Sequence, residues 1–181
     1  MSRYSLLVDL LENVDPGASI IDCGCGYGKG LPAILKLAPG FLVAADVDVT
    51  QLAVTKFSLV RSHSPGGKKV IYVWADIRKL PFVKLFDYFF CCETLEHLKQ
   101  EDNEGTVTSI ARSMKEDGKL CLSLPGADYI RNPEHLQFLP DKAVKELFGT
   151  KFDFIRQSIY RKYETGEKCR MFSNLMIFRK R

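Results

Sequence analysis

Short apolar runs alternate along the chain with segments in which apolar residues recur every three or four positions. The short runs are typical of buried strands, and the second pattern is typical of helices that cover a sheet. We predict strands at 18–23, 41–45, 70–74, 86–92 and 119–124. The alternation predicts an α/β fold, a doubly wound and mostly parallel sheet with helices on both faces.

Helices are expected between these strands, and turn residues mark where they end. The expected helices cover 3–14, 31–37, 50–61, 103–114 and 140–148. Thr50 is the expected N-terminal cap of the third helix. The segments 152–160 and 171–178 flank a turn-like sequence at 164–167 and are expected to pair as a hairpin.

The length of 181 residues suits one compact domain and is too short for two. We predict a single domain over 1–181, made of the helix at 3–14, a core at 18–125, and a loop and hairpin at 126–181. No segment approaches the roughly 18 apolar residues that span a bilayer, and residues 1–7 lack the apolar core of a signal peptide. We therefore expect a cytoplasmic protein with no membrane association.

Cysteine usage and charge narrow the possible chemistry. The six cysteines contain no C-x-x-C pair, and most of them fall in apolar runs, which disfavours a disulfide framework or a zinc ribbon. Residues 151–181 carry nine Lys and Arg against three Asp and Glu, whereas residues 1–150 carry 17 against 19. This basic end is either solvated surface or an attraction for an anionic partner such as RNA.

A glycine loop follows the first strand. Gly24, Gly26 and Gly28 alternate at the entrance of the predicted second helix, and Asp22 stands two residues ahead of them. Glycines let the backbone approach a ligand closely, and a helix N-terminus offers N–H groups to it. A dinucleotide fingerprint would need a glycine at position 29, which is Lys29. The spacing therefore favours a polar ligand other than a dinucleotide.

Acidic residues also end the second and third strands. Asp46 can accept two hydrogen bonds from ribose hydroxyls, and Asp76, beside the apolar Ile77, can accept from an adenine amino group. Val47 is expected to line the adenine pocket. Asp48 is interpreted as a surface charge at a helix N-terminus.

In order and spacing, these motifs resemble class I S-adenosylmethionine-dependent methyltransferases over residues 18–125. The resemblance implies a sheet in the order 3-2-1-4-5-7-6 with the last strand antiparallel, S-adenosylmethionine as cofactor and S-adenosylhomocysteine as product. It implies that the glycine loop holds the methionine end, Asp46 the ribose, and Asp76 and Ile77 the adenine. The implied cofactor-binding residues are Asp22, Gly24, Cys25, Gly26, Gly28, Asp46, Val47, Asp76, Ile77 and Cys92.

Candidates for the methyl-acceptor side follow the fourth strand. They are Glu93 and His97, together with His135 in a loop after the fifth strand. Tyr129 and Phe138 either cover the cofactor or contact substrate. The absence of an Asn-Pro-Pro-Tyr tetrapeptide argues against an adenine-N6 methylase. The acceptor stays open between a small molecule and RNA, with oxygen or nitrogen as the accepting atom, and a partner protein is a possible source of recognition.

Metal binding is the last question that the sequence raises. Glu93, Glu96 and His97 have the spacing of one helix face, and with His135 they form a set that can bind a divalent ion. The set resembles the metal cluster of methyltransferases that modify the terminal 2′-hydroxyl of small RNAs, but 133–138 matches that family poorly. We expect no metal. The alternative to an enzyme is a non-catalytic module that keeps the methyltransferase fold for binding or assembly.

Overall fold

A seven-stranded sheet with five helices forms the part of the chain that the computed structural model describes, residues 2–61, 70–126, 132–163 and 169–181. The strands are β1 (Ser19–Cys23), β2 (Phe41–Asp46), β3 (Val70–Trp74), β4 (Phe86–Cys92), β5 (Met114–Pro125), β6 (Phe152–Tyr163) and β7 (Cys169–Lys180). The helices are α1 (Arg3–Leu10), α2 (Leu31–Leu35), α3 (Val49–Arg61), α4 (Asn103–Ser113) and α5 (Asp141–Phe148). The sequences at 62–69, 127–131 and 164–168 lie outside the described residues, and with them Tyr129 and the expected turn at 164–167.

The strands lie in the order β3-β2-β1-β4-β5-β7-β6. Neighbours from β3 to β5 pair in parallel, whereas β7 pairs antiparallel with both β5 and β6. This confirms the predicted sheet order, the antiparallel last strand and the hairpin. Parallel strands end at the same edge, so the residues after β1, β2, β3 and β4 converge there.

The sheet is covered on both faces, and neighbouring residues of its inner strand β1 pack into two different apolar clusters, one on each face. Ile20 packs with Leu42 in one apolar cluster, while Ile21 packs with Val43 in the other. Side chains alternate along a strand, so a strand that is buried on both sides must be apolar throughout. None of the described helices is long and apolar enough to cross a membrane.

Several predicted boundaries are wrong. The first helix ends at Leu10 instead of residue 14. Thr50 does not cap α3, because the Asp48 carboxylate accepts the N–H groups of Thr50 at 2.8 Å and Gln51 at 3.1 Å. These bonds also lower the pKa of Asp48, mainly through the backbone of Gln51. The prediction of a helix-terminal charge at Asp48 is confirmed.

The fifth strand begins earlier than predicted. It starts at Met114, directly after α4, because Met114 already pairs with Phe86 of β4. The register then shifts so that Lys119 pairs with Tyr88, which leaves the turn-like residues 115–118 as a bulge. The sequence signal that marked a loop therefore belongs to an interruption inside the strand.

Candidate active site

A cavity of about 900 Å³ opens at the edge of the sheet where β1, β2, β3 and β4 end. One half is lined by residues that follow β1 to β3: Cys23, Gly24, Gly26, Tyr27, Asp46, Val47, Asp48, Gln51, Ala75, Asp76, Ile77 and Arg78. The other half is lined by Glu93, Thr94, His97, Leu98, Lys99, Glu101, Asp102, Glu134 and Leu136. A volume of this size is that of a typical cofactor or ligand site.

The glycine loop has the backbone that its sequence requires. Gly24, Gly26 and Gly28 have φ angles of +77°, +52° and +71°, a region that residues with a Cβ rarely adopt. The N–H of Gly24 donates to the carbonyl of Ala45 at 2.8 Å, which ties the loop to β2. A Cβ at Gly24 would lie 2.2 Å from Oγ1 of Thr94. Glycine is therefore needed at position 24 both for the turn and for space.

Asp46 links the glycine loop to the end of β2. Its Oδ2 accepts the N–H of Gly26 at 2.7 Å, and its Oδ1 accepts the N–H of Asp48 at 2.9 Å. The residue lines the cavity although only 9% of it is exposed. A carboxylate has about four acceptor positions, so two remain for a ligand's hydroxyl groups.

Asp76 is already engaged by a residue that the sequence analysis missed. The Arg78 side chain donates to both Asp76 oxygens and reaches Asp102 at 3.1 Å, which joins the two halves of the cavity. The hydrogen bond from Arg78 holds the pKa of Asp76 below its usual value. The Arg78 backbone N–H also donates to Asp76 Oδ1 at 2.9 Å, because Asp76 caps a short 3-10 turn. The sequence predicted Asp76 as an acceptor for an adenine amino group, and neither this cap nor the contact with Arg78 was predicted.

The apolar part of the first half lies beside these acids. Val47 is 62% exposed and Ile77 is 6% exposed, and both line the cavity. The indole N–H of Trp74 donates to the carbonyl of Val47 at 2.8 Å and so fixes the backbone after β2. Tyr27, from the glycine loop, adds a largely exposed aromatic ring. Val47, Ile77 and Tyr27 thus give the cavity an apolar wall next to hydrogen-bonding groups.

Four of the residues that the resemblance implied, Asp22, Cys25, Gly28 and Cys92, do not line the cavity. Asp22 is fully buried, and its Oδ1 accepts a hydrogen bond from the hydroxyl of Tyr4 at 3.1 Å. Its Oδ2 has no hydrogen-bond partner, and burial raises the pKa of Asp22 to about 7. Gly28 packs against Thr55, while Cys25 and Cys92 are buried. These four residues shape or support the glycine loop and do not themselves line the cavity.

In the second half, the expected helix at residues 93–97 is absent, and that expectation is corrected. Only Leu95–His97 form a 3-10 turn, and Glu93 has a φ of +52°. Glu93 therefore does not share a face with Glu96. Its Oε2 lies 2.7 Å from NH1 of Arg3, and its Oε1 accepts a hydrogen bond from the Ser123 hydroxyl.

Glu96, His97 and His135 are brought together, with one possible ligand atom of each within 4.8 Å of the others. Glu96 is 2% exposed, and neither of its carboxylate oxygens has a hydrogen-bond partner. Burial, helped by the charge of Glu93, raises the pKa of Glu96 to about 8. His97 lines the cavity, and its Nδ1 lies 3.0 Å from the carbonyl oxygen of Glu134. His135 lies behind it, with the two rings edge to face at 5.1 Å.

The loop that carries His135 is fastened by a side chain that the sequence analysis did not single out. The amide of Gln137 donates to the carbonyl of Leu95 at 2.8 Å and exchanges hydrogen bonds with the amide of Asn103. Phe138 is 38% exposed and does not line the cavity. Polar residues in an irregular loop give no periodic signal, so this attachment could not be found from sequence.

The sheet order, with a glycine loop after β1 and an acid at the end of β2 that meet in one cavity, defines the class I S-adenosylmethionine-dependent methyltransferase fold. A family model described as a methyltransferase domain matches residues 21–122, and the chain belongs to this family. The match confirms the family resemblance predicted from the sequence.

Known proteins of the same fold differ in what they act on. The chain is 26% identical over 159 residues to a tRNA U34 carboxymethyltransferase of Photorhabdus laumondii, covering 81% of this chain and 48% of that protein. It is 30% identical over 131 residues to phosphoethanolamine N-methyltransferase 3 of Arabidopsis thaliana, covering 70% and 24%. The N-methyltransferase NodS of Bradyrhizobium japonicum, solved with S-adenosylhomocysteine, superposes with a TM-score of 0.79 at 16% identity, covering 98% and 85%. The chain thus spans about half or less of the length of these two curated relatives.

The residues present fit S-adenosylmethionine. The glycine loop exposes backbone where the methionine end would approach, and Asp46 has acceptor positions left for two hydroxyl groups. Val47 and Ile77 offer an apolar wall for a planar base. Asp76 fits less simply, because an adenine amino group would have to share its oxygens with Arg78.

Proposed function

We propose that this chain is an active methyltransferase that transfers the methyl group of S-adenosylmethionine to an acceptor bound in the second half of the cavity. The observation that carries the proposal is the hydrogen bond between Gly26 and Asp46. This bond brings the glycine loop and the acid at the end of β2 to one wall of the cavity. The second half of the cavity, beside that wall, carries ionisable side chains. A non-catalytic module would not need that second half to be open.

Each cofactor-binding residue that the sequence predicted takes a definite role in this proposal. Gly24 and Gly26 admit the methionine end, and Asp46 accepts from the ribose hydroxyls. Asp76, Val47 and Ile77 surround the adenine. Asp22, Cys25, Gly28 and Cys92 act indirectly, because they shape and support the loop.

The bound cofactor supplies an electrophilic methyl group on a sulfonium and leaves as S-adenosylhomocysteine. In-line transfer needs mainly an aligned acceptor and a dry site, so positioning can supply most of the rate. Among the acceptor-side candidates, His97 lies on the cavity wall and is best placed to receive the proton that an oxygen or nitrogen acceptor loses. With Nδ1–H donating to Glu134, its Nε2 is the proton-accepting atom. His135 supports the His97 ring from behind.

The acceptor in this proposal stays open between a small molecule and RNA. Arg156, one of the basic residues near the end of the chain, is paired with Glu12 at 2.5 Å, which favours a structural role for it. Arg161 is exposed, and nothing is described of the side chains of Lys162, Lys168 and Arg170. The proposal also includes a partner protein that helps to recognise the acceptor. It places the protein in the cytoplasm.

The proposal is tested by calorimetry with S-adenosylmethionine, followed by incubation with labelled cofactor and separate pools of metabolites and RNA. We expect saturable cofactor binding and label in one of the pools. Binding without transfer to either pool would favour the non-catalytic module, and absence of binding would refute the cofactor site. If RNA is the acceptor, its binding should weaken steeply with salt and be lost when the basic residues are neutralised.

A further inference from the structure

Glu93 has a backbone conformation that is unusual for its residue type. Its φ of +52° lies in the left-handed region, which costs a side-chain-bearing residue on the order of 1 kcal/mol or more. Two contacts to β5 keep it there: the Glu93 N–H donates to the Ser123 carbonyl at 2.8 Å, and the Ser123 hydroxyl donates to Oε1. The strain is retained at a residue that lines the cavity.

A third contact comes from the opposite end of the sequence. NH1 of Arg3 lies 2.7 Å from Oε2 of Glu93 and also donates to the Ser173 hydroxyl at 3.4 Å. Arg3 is the first residue of α1, and the next residue, Tyr4, fixes the helix through its bond to Asp22. The side chains of both Arg3 and Glu93 are largely shielded, with 28% and 14% of their surface exposed. Helix α1 therefore holds the Arg3 guanidinium group against the Glu93 carboxylate.

Glu93 lines the cavity, and the residue that follows it contacts the glycine loop. Thr94, the residue after Glu93, closes directly on Gly24, where an added Cβ would come within 2.2 Å of its hydroxyl oxygen. By the proposed function, on which this step rests, the methionine end of the cofactor lies against this loop. That end carries an ammonium group, which must find an acceptor when it leaves water.

We infer that Glu93 binds the α-ammonium group of S-adenosylmethionine and that Arg3 is a positioning residue that holds its carboxylate in place. Arg3 and Ser123 use two of the roughly four acceptor positions of Glu93, which leaves two for ammonium hydrogens. This assigns Glu93 to the cofactor, whereas the sequence had made it a candidate for the acceptor side. It also means that α1, through Arg3, contributes to the recognition of the cofactor's amino-acid end.

The inference is tested by calorimetry with two ligands, S-adenosylhomocysteine and 5′-methylthioadenosine, which lacks the amino-acid tail. Arg3→Gln and Glu93→Gln should each weaken binding of S-adenosylhomocysteine about tenfold and change that of 5′-methylthioadenosine less than twofold. Arg3→Lys should recover part of the loss, and the double variant should be little worse than either single one. Arg156→Gln, which breaks the ion pair to Glu12 without touching the cavity, should alter neither affinity.

The outcomes separate this inference from the proposed function. Equal weakening of both ligands would mean that Arg3 and Glu93 only support the fold, and unchanged affinity for S-adenosylhomocysteine would place the ammonium elsewhere. Either result overturns the inference while the cofactor site stands. Wild-type protein that binds neither ligand would overturn the proposed function and, with it, the inference. Retained binding of 5′-methylthioadenosine shows that each variant is folded.

Discussion

The N–H of Gly26 donates to Oδ2 of Asp46 at 2.7 Å, so the glycine loop and the end of β2 form one unit. The two residues come from neighbouring parallel strands whose ends meet at one edge of the sheet. Through this bond, the carboxylate that is proposed to hold the ribose also sets the position of the loop that is proposed to hold the methionine end. A substitution at either residue should therefore disturb the geometry of the whole first half of the cavity.

Asp46→Ala should weaken S-adenosylmethionine binding by roughly 1.5 to 3 kcal/mol, because it removes a charged acceptor from two hydroxyl groups. Calorimetry measures the loss, and thermal unfolding checks that the fold survives. Asp46→Asn is the matched variant: it retains one oxygen for the Gly26 N–H and should lose less. Unchanged affinity in Asp46→Ala would show that the ribose is held elsewhere.

Gly26→Val should abolish cofactor binding, because a branched side chain would sit at a φ of +52° where backbone and ligand must meet. The control is Gly105→Ala in α4, where nothing lies within 4 Å of an added Cβ. That change should leave binding intact and stabilise the protein by up to about 1 kcal/mol, since alanine favours the helix. Normal cofactor binding by Gly26→Val would refute the placement of the loop against the ligand.

The sequence predicted which strands and motifs form this site better than it predicted the contacts between their side chains. Strand positions, the glycine loop and Asp46 follow from periodicity and from motif spacing, which are local properties. The partnership of Arg78 with Asp102 joins residues 24 positions apart and depends on how α4 packs, so no local pattern reports it. The left-handed Glu93 was missed for a similar reason: its conformation is imposed by β5 and α1, against its own preference.

Stability should fall as pH rises through the weakly acidic to weakly alkaline range. Burial raises the pKa of Glu96 to about 8 from its usual value of 4.5, so between these values the folded chain keeps a proton that the unfolded chain has released. The folded state then loses stability as that proton is removed, and Asp22, with a pKa of about 7, acts in the same direction.

Glu96→Gln should therefore flatten the fall in unfolding free energy between pH 5 and pH 9, by on the order of 4 kcal/mol. Urea unfolding at several pH values measures the slope. Glu116→Gln provides the control, because this exposed residue has a lowered pKa that comes from Lys84 and Lys180. A wild-type slope in Glu96→Gln would show that Glu96 does not carry the buried proton.

Activity should survive a chelator. At pH 7 the raised pKa leaves Glu96 largely protonated, so metal binding beside His97 and His135 would first have to displace a proton. Glu93, the second carboxylate of the expected set, is held by Arg3 and Ser123. The measurement compares methyl transfer with and without EDTA. Loss of transfer with EDTA and recovery with magnesium or manganese would instead favour an RNA 2′-O-methyltransferase.

The position of β7 between β5 and β6 has a consequence for synthesis of the chain. Translation delivers residues in order, yet one edge of β5 stays unpaired until the segment up to Lys180 has left the ribosome. Until then, the nascent chain exposes a long apolar strand edge of the kind that recruits other strands. The sheet is therefore completed only when β7, the last strand to be synthesised, inserts between β5 and β6.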